Sequence, residues 1–280
     1  MINEPLINPY NSKNILVTSD DIRNLLSKYN ITIDDIDIKL FIQSFTHKSY
    51  IKKEYYKDIY KYKKDNIIEL QETSNERLEC LGDAELKKVI LEYLYLRYPD
   101  ANEGDLTKIK TKIEDGKSLA RFAKIFGLDK YVLISKQNEL HGINRANDKI
   151  LEDTFEAFIG ALYLNSCDDV CNKFIIKILE SEVDYSDIIY NDNNYKDQIL
   201  RYYHSNKWKH PEYILLDEKG TGNKKIFIIG LLDNNSNVII TASDTSKRKA
   251  EQRVSKYGLY KFNMLNDEQL NDDELLLINK

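Results

Sequence analysis

Five carboxylates at helical spacing are the residues best suited to chemistry in this chain. Glu76, Glu79 and Asp83 lie three and four residues apart and so share one face of a helix; Asp153 and Glu156, three apart, share one face of another. Their neighbours are apolar, with Leu78, Leu81 and Ala84 in the first stretch and Phe155, Ala157, Ile159 and Ala161 in the second. Carboxylates embedded among such residues are expensive to bury unless they are paired or bound to metal. Four of them, Glu79, Asp83, Asp153 and Glu156, converging from two helices would form an all-oxygen site for a hard cation, suited to Mg²⁺ with Mn²⁺ as a substitute. Such a site serves phosphodiester hydrolysis, by activating a water nucleophile and stabilising the leaving oxygen. Either pair alone, in a chain with 46 Asp and Glu, reads most simply as a solvated helix face. The apolar neighbours favour function over that reading but do not decide it alone.

The elements that must carry these acids follow from periodicity. Across residues 19–182 apolar residues recur three and four apart, as in Ile22-Leu25-Leu26, Leu78-Leu81-Leu86-Val89-Ile90, Leu119-Phe122-Ala123-Phe126, Phe155-Phe158-Ile159-Leu162 and Phe174-Ile175-Ile178-Leu179. Thr73-Ser74-Asn75 offers an N-cap for the helix of Glu79, and Asn147 or Asp148 one for the helix of Glu156. The Asn/Asp-rich stretch 184–194 reads as a linker. Beyond it the pattern changes to a short helix over 195–204, strands over 213–216, 226–232 and 237–242, and a closing helix over 246–262. The final residues are acidic and read as mobile. No internal repeat is present.

Net charge is −5 over 280 residues, but it is unevenly divided. Between positions 195 and 262 there are 13 Lys and Arg against 7 Asp and Glu, a net +6 that leaves −11 for the remainder. A basic module on an acidic body suits binding to a polyanion. Three cysteines, Cys80, Cys167 and Cys171, give no disulfide framework. Cys167 and Cys171 lack the second Cys/His pair that a zinc site with His47 would need, and read as small apolar side chains. No stretch approaches the ~20 apolar residues of a membrane span, and the N-terminus has no signal layout. The expected compartment is therefore intracellular and reducing, the cytoplasm, and a host's cytoplasm if the source is viral.

Three stretches in order resemble the motifs of the ribonuclease III family. Asn75-Glu76-Arg77-Leu78-Glu79-Cys80-Leu81-Gly82-Asp83-Ala84 is similar to its signature helix, Thr46-His47-Lys48-Ser49-Tyr50 to an upstream motif, and Asp153-Thr154-Phe155-Glu156-Ala157-Phe158-Ile159-Gly160-Ala161-Leu162 to a downstream one. The resemblance covers roughly residues 20–180. It implies an all-α endonuclease domain in which Glu79, Asp83, Asp153 and Glu156 are catalytic, metal-binding acids and Glu76 a supporting acid. It further implies Mg²⁺-dependent hydrolysis of double-stranded RNA to products with 5′-phosphates, 3′-hydroxyls and short 3′ overhangs. Homodimerisation through the helix around 76–84 is also implied, with Thr46, His47 and Ser49 structural.

The second module resembles a double-stranded-RNA-binding domain, a small α+β fold of order α-β-β-β-α. Gly220-Thr221-Gly222-Asn223-Lys224-Lys225 is similar to its first inter-strand loop, and Thr245-Ser246-Lys247-Arg248-Lys249-Ala250 to the start of its last helix. The resemblance assigns RNA binding to Lys196, Arg201, Asn223, Lys224, Lys225, Lys247, Arg248 and Lys249. In the first turn of a helix the last three can act with free backbone N–H groups to hold phosphates.

The domain organisation expected is an extension over 1–18, the endonuclease domain over 19–183, a linker over 184–194, the RNA-binding domain over 195–262 and an acidic tail over 263–280. Departures from the family pattern are Cys80 and Glu85, which stand where an aromatic and an apolar residue are usual, and Leu200-Arg201 and Asn223 in the second module. Glu85 points away from Asp83 and is not read as a ligand. The competing reading is a non-catalytic double-stranded-RNA-binding protein on the same scaffold; retention of all four acids favours the enzyme.

Overall fold

A helix whose sides are mostly apolar belongs in the middle of its domain, and one stretch of this chain has that character apart from its acids. In the computed structural model it forms α7 (Asp148–Asn165), whose residues from Thr154 to Leu162 are all buried. The structure describes residues 8–53, 67–141, 144–166, 168–190, 194–220, 225–270 and 274, in two compact units, Met1–Ile188 and Ile189–Lys280. Among the described residues the first unit is helical: α1 (Ser19–Ser27), α2 (Ile38–Ser44), α3 (Glu76–Arg97), α4 (Glu103–Ile113), α5 (Gly116–Phe126), α6 (Lys136–Leu140), α7, α8 (Asp168–Glu182), and α9 (Tyr185–Tyr190) at its end. α2, α3, α5 and α8 pack around α7. Phe126, Phe158 and Phe174 meet with ring centroids 4.9–5.8 Å apart, and Phe41 lies 5.6 Å from Phe158. Such contacts add to the burial of large apolar area.

The contact that positions the acids is between α3 and α7. A Cβ on Gly82 would stand 1.8 Å from the Glu156 carbonyl oxygen, and one on Gly160 would stand 2.3 Å from that of Leu78. The two helices therefore cross backbone to backbone, with one glycine from each at the crossing. Asn147 starts α7 by accepting the N–H groups of Lys149 and Ile150 at 3.0 and 3.4 Å. Asn75 stands at the α3 N-cap without a side-chain cap bond. There the chain is held from outside: Thr46 O accepts the Asn75 N–H (2.9 Å), and Gln43 Nε2 donates to Ser74 O (3.1 Å). His47 Nδ1 accepts the Ser49 N–H at 3.1 Å, and Ser49 Oγ accepts that of Ser135 at 3.0 Å. The motif around His47 thus anchors the start of α3.

In the second unit α10 (Tyr195–Ser205) and α11 (Lys247–Lys261) cover an antiparallel sheet of order β1 (Tyr213–Lys219), β2 (Ile226–Leu232), β3 (Val238–Asp244). Ile199, Tyr203, Ile229, Leu231, Ala250, Val254 and Tyr257 form its core. The element order is the one the sequence implies. β1 runs three residues further than expected, because exposed Asp217, Glu218 and Lys219 pair with Ile228, Phe227 and Ile226 of β2. Pairing rather than side-chain character sets that end.

Three segments differ from the sequence reading. Part of the expected linker is helical: α9 forms because Tyr185 packs against Tyr93 and Tyr98, under the Arg97 guanidinium 4.8 Å from its ring centre. Within the expected extension, Tyr10 and Val17 are buried, and Asn11 and Asn14 donate to Ile134 O at 3.1 Å. The start of the acidic tail is packed rather than mobile, since Leu265 and Leu270 join the core of the second unit. Apolar residues within polar sequence account for each. Among the described residues no helix is long and apolar enough to cross a membrane.

Replacing Gly82 by alanine would force the crossing apart, since the 1.8 Å approach is to backbone. The expected loss of stability is about 3 kcal/mol or more, read as a fall in the urea midpoint of unfolding.

Candidate metal centre

The crossing of α3 and α7 brings carboxylates of Glu79, Asp153 and Glu156 together, with one oxygen of each within 4.8 Å of the others. Asp83 lines the same cleft, with Glu79, Cys80, Lys87, Glu114, Glu152 and Glu156. It stands apart from the three, bound to Lys87 one turn on at 2.6 Å. Lys149, one turn before Asp153, approaches it at 2.8 Å and Glu152 at 3.3 Å.

The acids outweigh these cations. Burial, and then the charges of Asp83, Glu152 and Glu79, push the Glu156 carboxyl up to about 8. Glu79 is raised too, by burial first and next by Asp153. A site where carboxylates are driven toward protonation by burial first and by one another next lacks positive charge, and the all-oxygen donor set suits a hard cation. The residues fit a metal ion on both counts.

Glu76 is outside this set. It is exposed, accepts from Ser74 Oγ at 3.0 Å and pairs with Lys48 at 3.3 Å, and these two contacts lower its pKa. It lines an adjoining depression with His47, Lys48, Glu79, Lys149 and Asp153. The His47 pKa is lowered, by burial first and by Lys48 next. Glu85 is turned away and buried, paired with Lys88 at 2.8 Å. Of the cysteines, Cys171 is buried, Cys80 is exposed on α3, and Cys167 lies outside the described residues.

Sequence reasoning missed Lys87, Lys149, Glu114 and Glu152, all of which line the cleft. The signal for the lysines was present: each is four residues from one of the acids, at the spacing that brings side chains together on a helix. Glu152 was not foreseeable in that way. Its carboxylate lies over Gly116 of α5, where a Cβ would stand 2.6 Å from Oε2, and that proximity comes only from packing.

In the second unit Ser246 caps α11 by accepting the Lys249 N–H at 3.3 Å, which leaves Lys247, Arg248 and Lys249 in its first turn. Lys247 Nζ lies 5.7 Å from the centre of the Phe227 ring. Lys196 pairs with Glu251 at 2.6 Å, Arg201 with Asp197 at 2.9 Å and Lys225 with Glu218 at 2.5 Å. Asn223 and Lys224 lie outside the described residues.

Comparison with known proteins follows the same division. The family model described as Ribonuclease-III-like matches residues 37–182, and that of the double-stranded RNA binding motif matches residues 195–259. A protein of Acanthamoeba polyphaga mimivirus named "Probable ribonuclease 3" is 42% identical over 250 residues, which are 88% of this chain but only 46% of that protein. "Ribonuclease 3" of Enterococcus faecalis is 33% identical, covering 84% of this chain and 94% of its own length. Among solved structures, the nuclease domain of ribonuclease III from Campylobacter jejuni aligns with a TM-score of 0.47 at 28% identity, over 60% of this chain and 99% of that one. With one family model spanning more than half of its length and a bacterial relative matched almost end to end, the chain belongs to the ribonuclease III family and carries its nuclease domain together with a double-stranded-RNA-binding motif.

Proposed function

We propose that this protein is an Mg²⁺-dependent endonuclease that hydrolyses double-stranded RNA, leaving 5′-phosphates, 3′-hydroxyls and short 3′ overhangs. The observation that carries the reading is the convergence of Glu79, Asp153 and Glu156 within 4.8 Å, together with the raised pKa of Glu156. Glu79, Asp83, Asp153 and Glu156 would hold the metal, with Mn²⁺ accepted in place of Mg²⁺. When bound, the metal supplies an activated water and charge stabilisation for the leaving oxygen.

The chain's own residues prepare for this. Lys149 stands against Asp153 at 2.8 Å and sets a positive charge beside it. Lys87 holds Asp83 at 2.6 Å, and release of that bond would bring the fourth acid to the set. Glu76 supports the start of α3 through Ser74 and Lys48. Lys196, Arg201, Asn223, Lys224, Lys225, Lys247, Arg248 and Lys249 would bind the phosphates and 2′-hydroxyls of the duplex by shape, with little sequence preference. The 19–183 segment would serve as the endonuclease domain, 184–194 as linker and 195–262 as the RNA-binding domain. The outer face of α3 exposes Cys80, Ala84, Leu91 and Tyr95 at helical spacing. That stripe supports assembly into a homodimer through this helix, and the absence of a disulfide framework supports action in the cytoplasm.

A long duplex RNA incubated with the protein and Mg²⁺ should yield short duplexes with staggered ends, and EDTA should prevent it. Glu156→Gln should lower the rate at least ~100-fold while leaving duplex binding intact; undiminished cleavage by that variant would sink the assignment.

The raised Glu156 carboxyl gives a pH dependence whose sign is fixed. The metal needs the carboxylate, so binding releases a proton, and apparent Mg²⁺ affinity should rise with pH up to about 8 and level off above it. Without metal the folded state holds this proton more tightly than the unfolded state. Glu156 therefore stabilises the fold below its ordinary value of 4.5, and that contribution is lost as pH rises toward about 8. Calorimetric titration with Mg²⁺ across this range should show the first effect, and thermal unfolding in EDTA the second, both lost in Glu156→Gln.

Replacing Lys247 and Arg248 by alanine should weaken duplex binding at every sequence. It should also flatten the plot of log affinity against log salt by roughly 0.9 per cation removed, measured by fluorescence anisotropy in EDTA.

A further inference from the structure

The C-terminal acidic segment returns to the basic helix. After α11 the backbone turns at Asn263, whose φ is +56°, and passes through a 3₁₀ turn at Asp267–Gln269. Leu265 and Leu270 are buried in the core of the second unit, and the Tyr260 hydroxyl donates to Asp267 at 2.7 Å. Four residues beyond Leu270, Glu274 enters a cleft along α11 that Tyr195, Ser246, Arg248, Lys249, Arg253 and Lys256 line. There Lys256 Nζ donates to Glu274 Oε2 at 2.6 Å, with the two side chains only 14% and 13% exposed. Lys256 Nζ also lies 5.7 Å from the centre of the Tyr195 ring.

Four cations on one stretch of helix repel one another unless an anion neutralises them, and the cleft also adjoins the capped, positive end of α11. Asp244 answers part of this charge by pairing with Arg253 at 3.2 Å. Glu274 answers another part, and the sequence sets Asp272 and Asp273 directly before it. An ion pair so withdrawn from water is screened less than a surface one. A segment anchored at Leu270 also reaches the cleft at an effective concentration on the order of millimolar, so it competes without strong intrinsic affinity.

We propose that this cleft is a binding site for a carboxylate-bearing peptide, occupied in cis by the chain's own Glu274, and that this acidic segment competes with duplex RNA for the cations of α11. The competition rests on the RNA-binding role proposed above for Arg248 and Lys249; occupation of the cleft by the segment does not.

The test uses the full chain with Asp272→Asn, Asp273→Asn and Glu274→Gln combined, in EDTA so that RNA stays intact. Labelled duplex RNA should bind this variant about fivefold more tightly than the parent near 50 mM salt, where the RNA contacts are least screened. Equal or weaker binding by the variant would overturn the competition. A labelled peptide of residues 271–280, added in trans to the same variant, should bind, be displaced by duplex RNA, and lose its affinity when Lys256→Gln is added. Peptide binding that ignores Lys256 would overturn the cleft assignment. If neither chain bound duplex RNA, the competition would fall with the RNA-binding reading, and the peptide measurement would still decide the cleft.

Discussion

Everything at the metal centre depends on two helices being able to touch backbone to backbone. Gly82 and Gly160 leave no room for a side chain between α3 and α7. Each glycine lies within a turn of an acid, Asp83 on one helix and Glu156 on the other. The close approach therefore sets the separation of the carboxylates as well as the stability of the core. Any residue with a Cβ at either position would move the acids apart before it touched their chemistry. The buried length of α7 and the aromatic cluster of Phe41, Phe126, Phe158 and Phe174 then hold the crossing in place.

The price of that proximity is electrostatic. Carboxylates from two helices, with Glu114 and Glu152 beside them, share one cleft with Lys87 and Lys149. Burial first, and this imbalance next, raise the pKa of Glu156 and Glu79. A divalent cation relieves it; protonation is the alternative when none is bound. The second unit has the opposite problem. Its cations gather on α11, and acids from β3 and from the C-terminal segment neutralise part of them. The acidic body and basic module seen in the charge distribution thus each balance charge locally, by different means.

Much of this was legible in the residues. Helical spacing placed Glu79 with Asp83 and Asp153 with Glu156, and the change from a 3.6-residue to a two-residue pattern marked the sheet-bearing unit. What could not be read was decided by partners distant in sequence. The helix at Tyr185 depends on Tyr93, Arg97 and Tyr98, nearly a hundred residues earlier. The packing of the C-terminal segment depends on two leucines in an acidic stretch whose composition suggests mobility. Glu152 enters the cleft because Gly116 on another helix makes room for it. Asp83, which spacing alone sets beside Glu79, is drawn off by Lys87, so three of the four acids meet closely and the fourth does not.

The arrangement of the acids around a metal is the central claim, and anomalous X-ray diffraction from crystals grown with Mn²⁺ tests it most directly. The account predicts an anomalous peak between the Glu79, Asp153 and Glu156 carboxylates, with Asp83 released from Lys87 and turned toward it. Peaks found only elsewhere on the molecule, with these carboxylates left without an ion, would contradict it.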